Sequence, residues 1–229
     1  PPPHFFSTPT TPYEIASCLV GSEMCIRDSY DMATSLNLLW DDPRVNNQKI
    51  YAAGWSLGGT AALFNAWLPL QEALNDPNAS FAGYLMWYPG CLALPDVNEW
   101  DQDFMQIYIG EDDNWTPPQP CKELVALMNE KGGSANIELY PNAFHSFDSP
   151  NPLKLWPDAY SWANCKLKLN GKTKKVYDPN NIDLDFSDPK ARRAAYESCA
   201  VKGEVMAGAS PEYQNAAFEH LATLLPKLD

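Results

Sequence analysis

The sequence predicts an α/β protein, a mostly parallel sheet flanked by helices, and three observations carry that expectation. Strand-like and helical stretches alternate through residues 49–140, the order that a parallel sheet with crossover helices requires. The run FAGYLMWY at 81–88 is apolar nearly throughout, as strands covered on both faces are. A tight turn, Gly54-Trp55-Ser56-Leu57-Gly58-Gly59, joins one strand directly to a helix. At 229 residues the chain is long enough for one domain with a sizeable core.

Residues 1–29 show neither helical nor strand periodicity and are set apart from the fold. Their string SCLVGSEMCIRDS resembles a peptide that recurs in translated environmental sequence assemblies, where library-adapter DNA has been read as protein. The alternative is a disordered N-terminal arm. The folded domain is expected over 30–229. A helix is predicted over 30–42, with Met32, Leu36, Leu39 and Trp40 on one side, and Asp42-Pro43 ends it. Residues 49–53 enter the tight turn as a strand. Thr60-Ala61-Ala62-Leu63-Phe64 continues as a helix over 56–67, stopped near Pro69, with a further helical turn at 70–74.

Strands follow at 81–88, 104–109 and 136–140. A helix at 117–130 has proline in its first turn and Gly132-Gly133 beyond its end. Residues 149–210 read as an insertion rich in proline and asparagine, with little regular structure beyond a helix at 189–199. A closing amphipathic helix over 211–225 turns Phe218, Leu221, Leu224 and Leu225 inward.

The net charge of −13 argues against nucleic acid and anionic membrane surfaces as partners. No run approaches the length of a membrane span, so no membrane partner is expected. The cysteines form no Cys-x-x-Cys pair and the three histidines lie far apart, so no metal site is expected. No nucleotide or flavin motif occurs, and no cofactor is expected.

The strand–turn–helix context makes Gly-x-Ser-x-Gly informative. It is the setting of a nucleophile elbow, in which Ser56 sits in a strained conformation with its hydroxyl above the sheet edge. Gly54 and Gly58 are expected to be glycine because side chains there would collide with the neighbouring strand and helix. Gly59 lets the helix lie close on the sheet. A serine hydroxyl is a poor nucleophile near neutral pH and needs a base, itself oriented by a carboxylate. His4 lies in the N-terminal stretch and His220 within the closing helix. His145 lies in the loop directly after the 136–140 strand, at a carboxyl end where functional loops of open parallel sheets gather. The strand between serine and histidine leads into Glu111-Asp112-Asp113, one of which faces His145. The order serine, acid, histidine differs from that of chymotrypsin and subtilisin. Trp55, Trp115, Phe144 and Phe147 flank these residues and are expected to form an apolar substrate wall, the alternative being ordinary core aromatics.

The strings GWSLGG, MWYPGC, IGEDDNWTPPQPC and LYPNAFHSFD make residues 30–229 resemble the dienelactone hydrolase family of α/β-hydrolases. In that family the acid stands three residues after the glycine that ends its strand, which is Asp113 here, and the base is His145. Family members acting on dienelactone itself carry cysteine as nucleophile. Ser56 matches the esterase-like members instead. The resemblance implies hydrolysis of small carboxylic esters or lactones through an acyl-enzyme on Ser56. The backbone N–H of Leu57 would be one oxyanion donor, and the second would come from a loop upstream of Tyr30. The chain is therefore expected to be the C-terminal portion of such a hydrolase. The alternatives are a peptidase of the prolyl-oligopeptidase kind, a non-catalytic binding module on the same fold, and an inactive fragment.

Cys91 follows one strand end and Cys121 opens the helix after the next, whereas Cys165 and Cys199 both lie in the insertion. That placement suggests the disulfides Cys91–Cys121 and Cys165–Cys199, and with them a periplasmic or secreted parent. Reduced cysteines packed as small hydrophobes, in a cytoplasmic protein, are the alternative.

Overall fold

The computed structural model describes residues 23–95, 99–101, 103–170, 176–177, 194 and 198–227. Helix α1 spans Glu23–Trp40, so its start at residue 30 is corrected by about two turns. Packing explains the difference. Ser29 is buried and its carbonyl accepts a hydrogen bond from Asn65 Nδ2 at 3.2 Å, an anchor that periodicity alone does not reveal. The buried line of α1 is Ser29, Ala33 and Leu36, and Leu39 is exposed rather than inward.

Strand β1 (Tyr51–Trp55) leads through Ser56 into α2 (Leu57–Asn65), and α3 follows at Leu68–Leu74. Pro69 starts α3 instead of ending the preceding helix, because proline fits a first helical turn whose N–H has no acceptor. Next come β2 (Gly83–Trp87), a short β3 (Ala93–Pro95), β4 (Phe104–Gly110), α4 (Pro118–Glu130) and β5 (Ser134–Tyr140). The main sheet has the order β1-β2-β4-β5 and every pairing in it is parallel.

Register explains the two apolar faces. Trp55 pairs with Trp87, and Trp87 with Tyr108. The three rings therefore stand in one row, with centroids 4.6 and 5.0 Å apart. Tyr84 alternates to the opposite face, where its hydroxyl donates to Asp101 Oδ2 at 2.9 Å. Tyr84, Met86, Trp87, Met105, Ile107 and Tyr108 are all buried, so β2 and β4 are covered on both sides.

The insertion carries more regular structure than its composition suggests. Strands β6 (Lys154–Trp156) and β11 (Val205–Ala207) pair antiparallel, as do β7 (Tyr160–Ser161) and β10 (Val201–Lys202). Strand β8 (Leu167–Leu169) pairs with β3 and with β9 (Val176–Tyr177). These strands have two or three residues each, too short for a period-2 pattern to stand out. Of the helix expected at 189–199, Ala194, Ser198 and Cys199 are described and are helical; the rest lies outside the described residues.

Helix α5 is Ala216–Leu224, shorter than 211–225. Its buried residue is Ala217, and Phe218 and Leu225 are exposed, which corrects the expected inward face. Phe218 stacks on Trp87 at 5.5 Å and on Trp55 at 6.4 Å, yet much of its ring stays exposed. Leu225 lies beyond the helix in a single 3-10 turn. Disulfides join Cys91 to Cys121 and Cys165 to Cys199. The first ties the loop after β2 to the opening turn of α4, and the second closes the insertion on itself. Among the described residues no helix is long and apolar enough to cross a membrane.

Candidate active site

The turn from β1 to α2 sets the geometry. A Cβ on Gly54 would run into the backbone of Gly58 and Gly59, so this position admits glycine alone. A Cβ on Gly58 meets nothing within 4 Å, which corrects the expectation for that residue: it faces open space. Ser56 takes φ 51° and ψ −114°, a strained conformation for a residue with a side chain. Its N–H donates to the Trp87 carbonyl at 2.9 Å, and its own carbonyl accepts from Thr60 N–H at 2.9 Å. The Thr60 hydroxyl also accepts from Gly90 N–H at 2.7 Å, which pins the turn to the loop after β2.

Gly110 ends β4 where a Cβ would meet the Ala143 carbonyl. This close approach lets Glu111 N–H donate to the Tyr140 carbonyl (2.9 Å) and Asp112 N–H to that of Ala143 (3.1 Å). The loops after β4 and β5 therefore run side by side. Glu111 and Asp112 face solvent, whereas Asp113 is 2% exposed. A buried carboxylate needs partners, and Asp113 has four. Oδ1 accepts from Trp115 N–H (2.9 Å) and Thr116 N–H (2.8 Å), and Oδ2 meets the Thr116 hydroxyl (2.9 Å) and His145 Nδ1 (2.8 Å).

His145 is 3% exposed, and its Nε2 lies 2.9 Å from Ser56 Oγ. A carboxylate only accepts, so Nδ1 carries the ring hydrogen and Nε2 is left to accept from the serine hydroxyl. The Tyr88 ring stands edge-on to the imidazole at 4.6 Å and Trp115 lies tilted against it at 5.0 Å. Ser56, Asp113 and His145 thus meet, although 89 residues separate the first from the last. Leu57 is the first residue of α2, so its N–H has no acceptor within the helix. His4 lies outside the described residues. His220 is half-buried in α5, its ring edge-on to Tyr108 at 5.8 Å.

The expected apolar wall divides. Trp115 adjoins His145, and Trp156 of β6 packs on it at 5.9 Å. Phe144 is half-buried in the histidine loop. Trp55 is half-exposed, but its ring stacks on Trp87 and its indole N–H donates to Asp148 Oδ2 at 2.9 Å. Phe147 is corrected: it is fully buried against Tyr140 (4.7 Å) and Tyr88 (5.8 Å) and belongs to the core. With none of its surface open, it has no face to offer a substrate.

Four residues escaped the sequence reading: Tyr88, Thr116, Asp148 and Trp156. Thr116 had a local signal, a hydroxyl three residues after the acid. Asp148 stands three residues after His145 and Tyr88 directly after β2, but their bond to each other and the packing of Trp156 on Trp115 are tertiary contacts. The insertion also returns to the site, because Gly208 N–H donates to the His145 carbonyl at 2.9 Å and Asn114 Nδ2 donates to the Glu204 carbonyl at 2.8 Å.

The model of the dienelactone hydrolase family matches residues 23–168. That stretch holds all of the main sheet and the three hydrogen-bonded residues. The chain belongs to the dienelactone hydrolase family. Among solved structures, esterase 2 of Thermogutta terrifontis aligns at 19% identity and a TM-score of 0.44, covering 54% of this chain and 55% of that one. The carboxylesterase Cest-2923 from Lactobacillus plantarum WCFS1 aligns at 16% identity and a TM-score of 0.42, covering 52% and 55%. The chain spans about half the length of the solved structures it matches. No curated protein matches it. Family membership agrees with the parallel sheet, whose strands end at the same side as Ser56, Asp113 and His145.

Proposed function

We propose that this member of the dienelactone hydrolase family is a serine hydrolase of small carboxylic esters or lactones. The observation that carries the reading is the unbroken line of hydrogen bonds from Asp113 through His145 to Ser56 (2.8 and 2.9 Å) at the carboxyl edge of a parallel sheet. Ser56 attacks the acyl carbon as His145 Nε2 takes its proton. The same proton passes to the leaving alkoxide, and the acyl group stays on Ser56 Oγ. Water then gives a proton to Nε2 while attacking the acyl-enzyme, and Ser56 regains its hydrogen as the acid departs. Asp113 keeps the tautomer and stabilises the imidazolium. The N–H of Leu57 points from a helix N-terminus and meets the developing oxyanion. Trp115 supplies an apolar flank beside the histidine. Two disulfides favour a periplasmic or secreted setting.

The test is hydrolysis of short-chain aryl esters and small lactones by the purified chain, beside Ser56→Ala and His145→Ala. Each substitution is expected to lower kcat by at least about a thousandfold. Turnover that survives Ser56→Ala would refute the assignment.

A further inference from the structure

Three segments meet on one carboxylate that the proposed chemistry does not use. Asp148 lies three residues after His145. Its Oδ2 accepts from Trp55 Nε1 at 2.9 Å and its Oδ1 from the Tyr88 hydroxyl at 2.7 Å. Trp55 immediately precedes Ser56. Tyr88 follows β2 at a φ of 39° and sets its ring edge against His145. Between His145 and Asp148, the fully buried Phe147 fastens the histidine loop to Tyr88 and Tyr140.

We infer that Asp148 is a positioning residue that clamps the loop carrying His145 to the turn carrying Ser56, with Tyr88 as the second arm of the clamp. The inference rests on the reading of Ser56 and His145 given above. The Ser56–His145 contact spans two loops, and one hydrogen bond between them does not fix their separation. A misplacement of about 1 Å is enough to cost on the order of a hundredfold in rate. Asp148 supplies an independent tie between those loops, through Trp55 on one side and the face of His145 lined by Tyr88 on the other.

A carboxylate suits the position because both donors need an acceptor. An asparagine would turn an NH2 toward one of them and leave that donor unpaired. Burial, and next the Asp148 carboxylate itself, raise the Tyr88 phenol well above its ordinary range, so its hydroxyl remains a donor at any working pH.

The test compares the full chain with Asp148→Asn, Tyr88→Phe, Trp55→Phe and the double variant Asp148→Asn/Tyr88→Phe. The readouts are the rate of Ser56 phosphonylation by a fluorophosphonate, kcat and KM for a short-chain ester, and the thermal midpoint. Asp148→Asn is expected to slow phosphonylation and lower kcat by about 10- to 100-fold with KM nearly unchanged. Tyr88→Phe, which deletes a single oxygen, is expected to lose about three- to tenfold, and the double variant should be no slower than Asp148→Asn alone. Unchanged phosphonylation in all three single variants would overturn the clamp. So would a loss that follows the unfolded fraction, or a rise in KM at constant kcat. A wild-type chain that labels no better than Ser56→Ala would instead refute the serine reading, and the clamp with it.

Discussion

Thr116 places its hydroxyl within 2.9 Å of Asp113 Oδ2, 3.1 Å of the Tyr88 carbonyl and 3.0 Å of His145 Nδ1. Its single hydrogen serves the carboxylate or the carbonyl, and either bond holds the acid beneath the imidazole. Thr116→Val keeps the shape and removes the bond. Loss of a hydrogen bond to a charged group, roughly 1.5 kcal/mol, should lower kcat about tenfold, measured by steady-state ester hydrolysis. A second residue-scale prediction concerns Asp103. Partial burial, then the neighbouring Asp101 carboxylate, push its pKa up to about 6 from an ordinary 3.8. The folded chain therefore binds this proton more tightly than the unfolded chain. Its stabilising contribution is full below about pH 3.8 and is lost as pH rises through about 6. Asp103→Asn should raise the thermal midpoint over wild type at pH 7.5 and give no gain at pH 4; because the side chain is only partly covered, solvent screening limits the gain to about 1–2 °C. Ser56 was legible from the strand–turn–helix string around it, and His145 from its place in the loop that leaves β5. Asp113 stood out from Glu111 and Asp112 only through the family pattern, and burial is what separates them physically. Asp148 and Tyr88 belong to no motif, although Tyr88 directly follows β2, and the bonds of Asp148 to Trp55 and Tyr88 reach 93 and 60 residues along the chain.

Among the elements, the strands were legible wherever burial is two-sided, because β2 is apolar throughout and β4 is apolar but for Gln106. The start of α1 was not, because its first turns depend on a contact from Ser29 to Asn65. Helix α5 misled for a related reason: Phe218 stacks on two tryptophans yet stays exposed, and amphipathic counting cannot distinguish a half-covered aromatic from a buried one. The Cys91–Cys121 bridge belongs to this scale. It links the loop that follows Tyr88 to the helix that follows Thr116, so it braces the acid loop from behind. It closes a loop of 30 residues. Chain-entropy arithmetic for a loop of about this length gives roughly 3–4 kcal/mol of stabilisation. Replacing both cysteines by serine should shift the urea unfolding midpoint downward by the equivalent amount; an unchanged midpoint would mean that the bridge constrains nothing in the unfolded chain.

At the scale of the whole molecule, one sheet gathers hydrogen-bonded residues from separated stretches of sequence. Strands β1, β4 and β5 release Ser56, Asp113 and His145 at one edge, and β2 contributes Tyr88 between them. The insertion then returns through Gly208 to the carbonyl of His145. Alternation of strand and helix revealed that layout. The pairings within the insertion stayed hidden because two- and three-residue strands are chosen by their partners rather than by local pattern. The central claim is that this assembly activates one serine. Its most direct test is mass spectrometry of the chain after fluorophosphonate treatment, with the adduct mapped by peptide sequencing. The account predicts a single adduct on Ser56 that disappears in His145→Ala. An adduct on another residue, or equal labelling of Ser56 without His145, would contradict it.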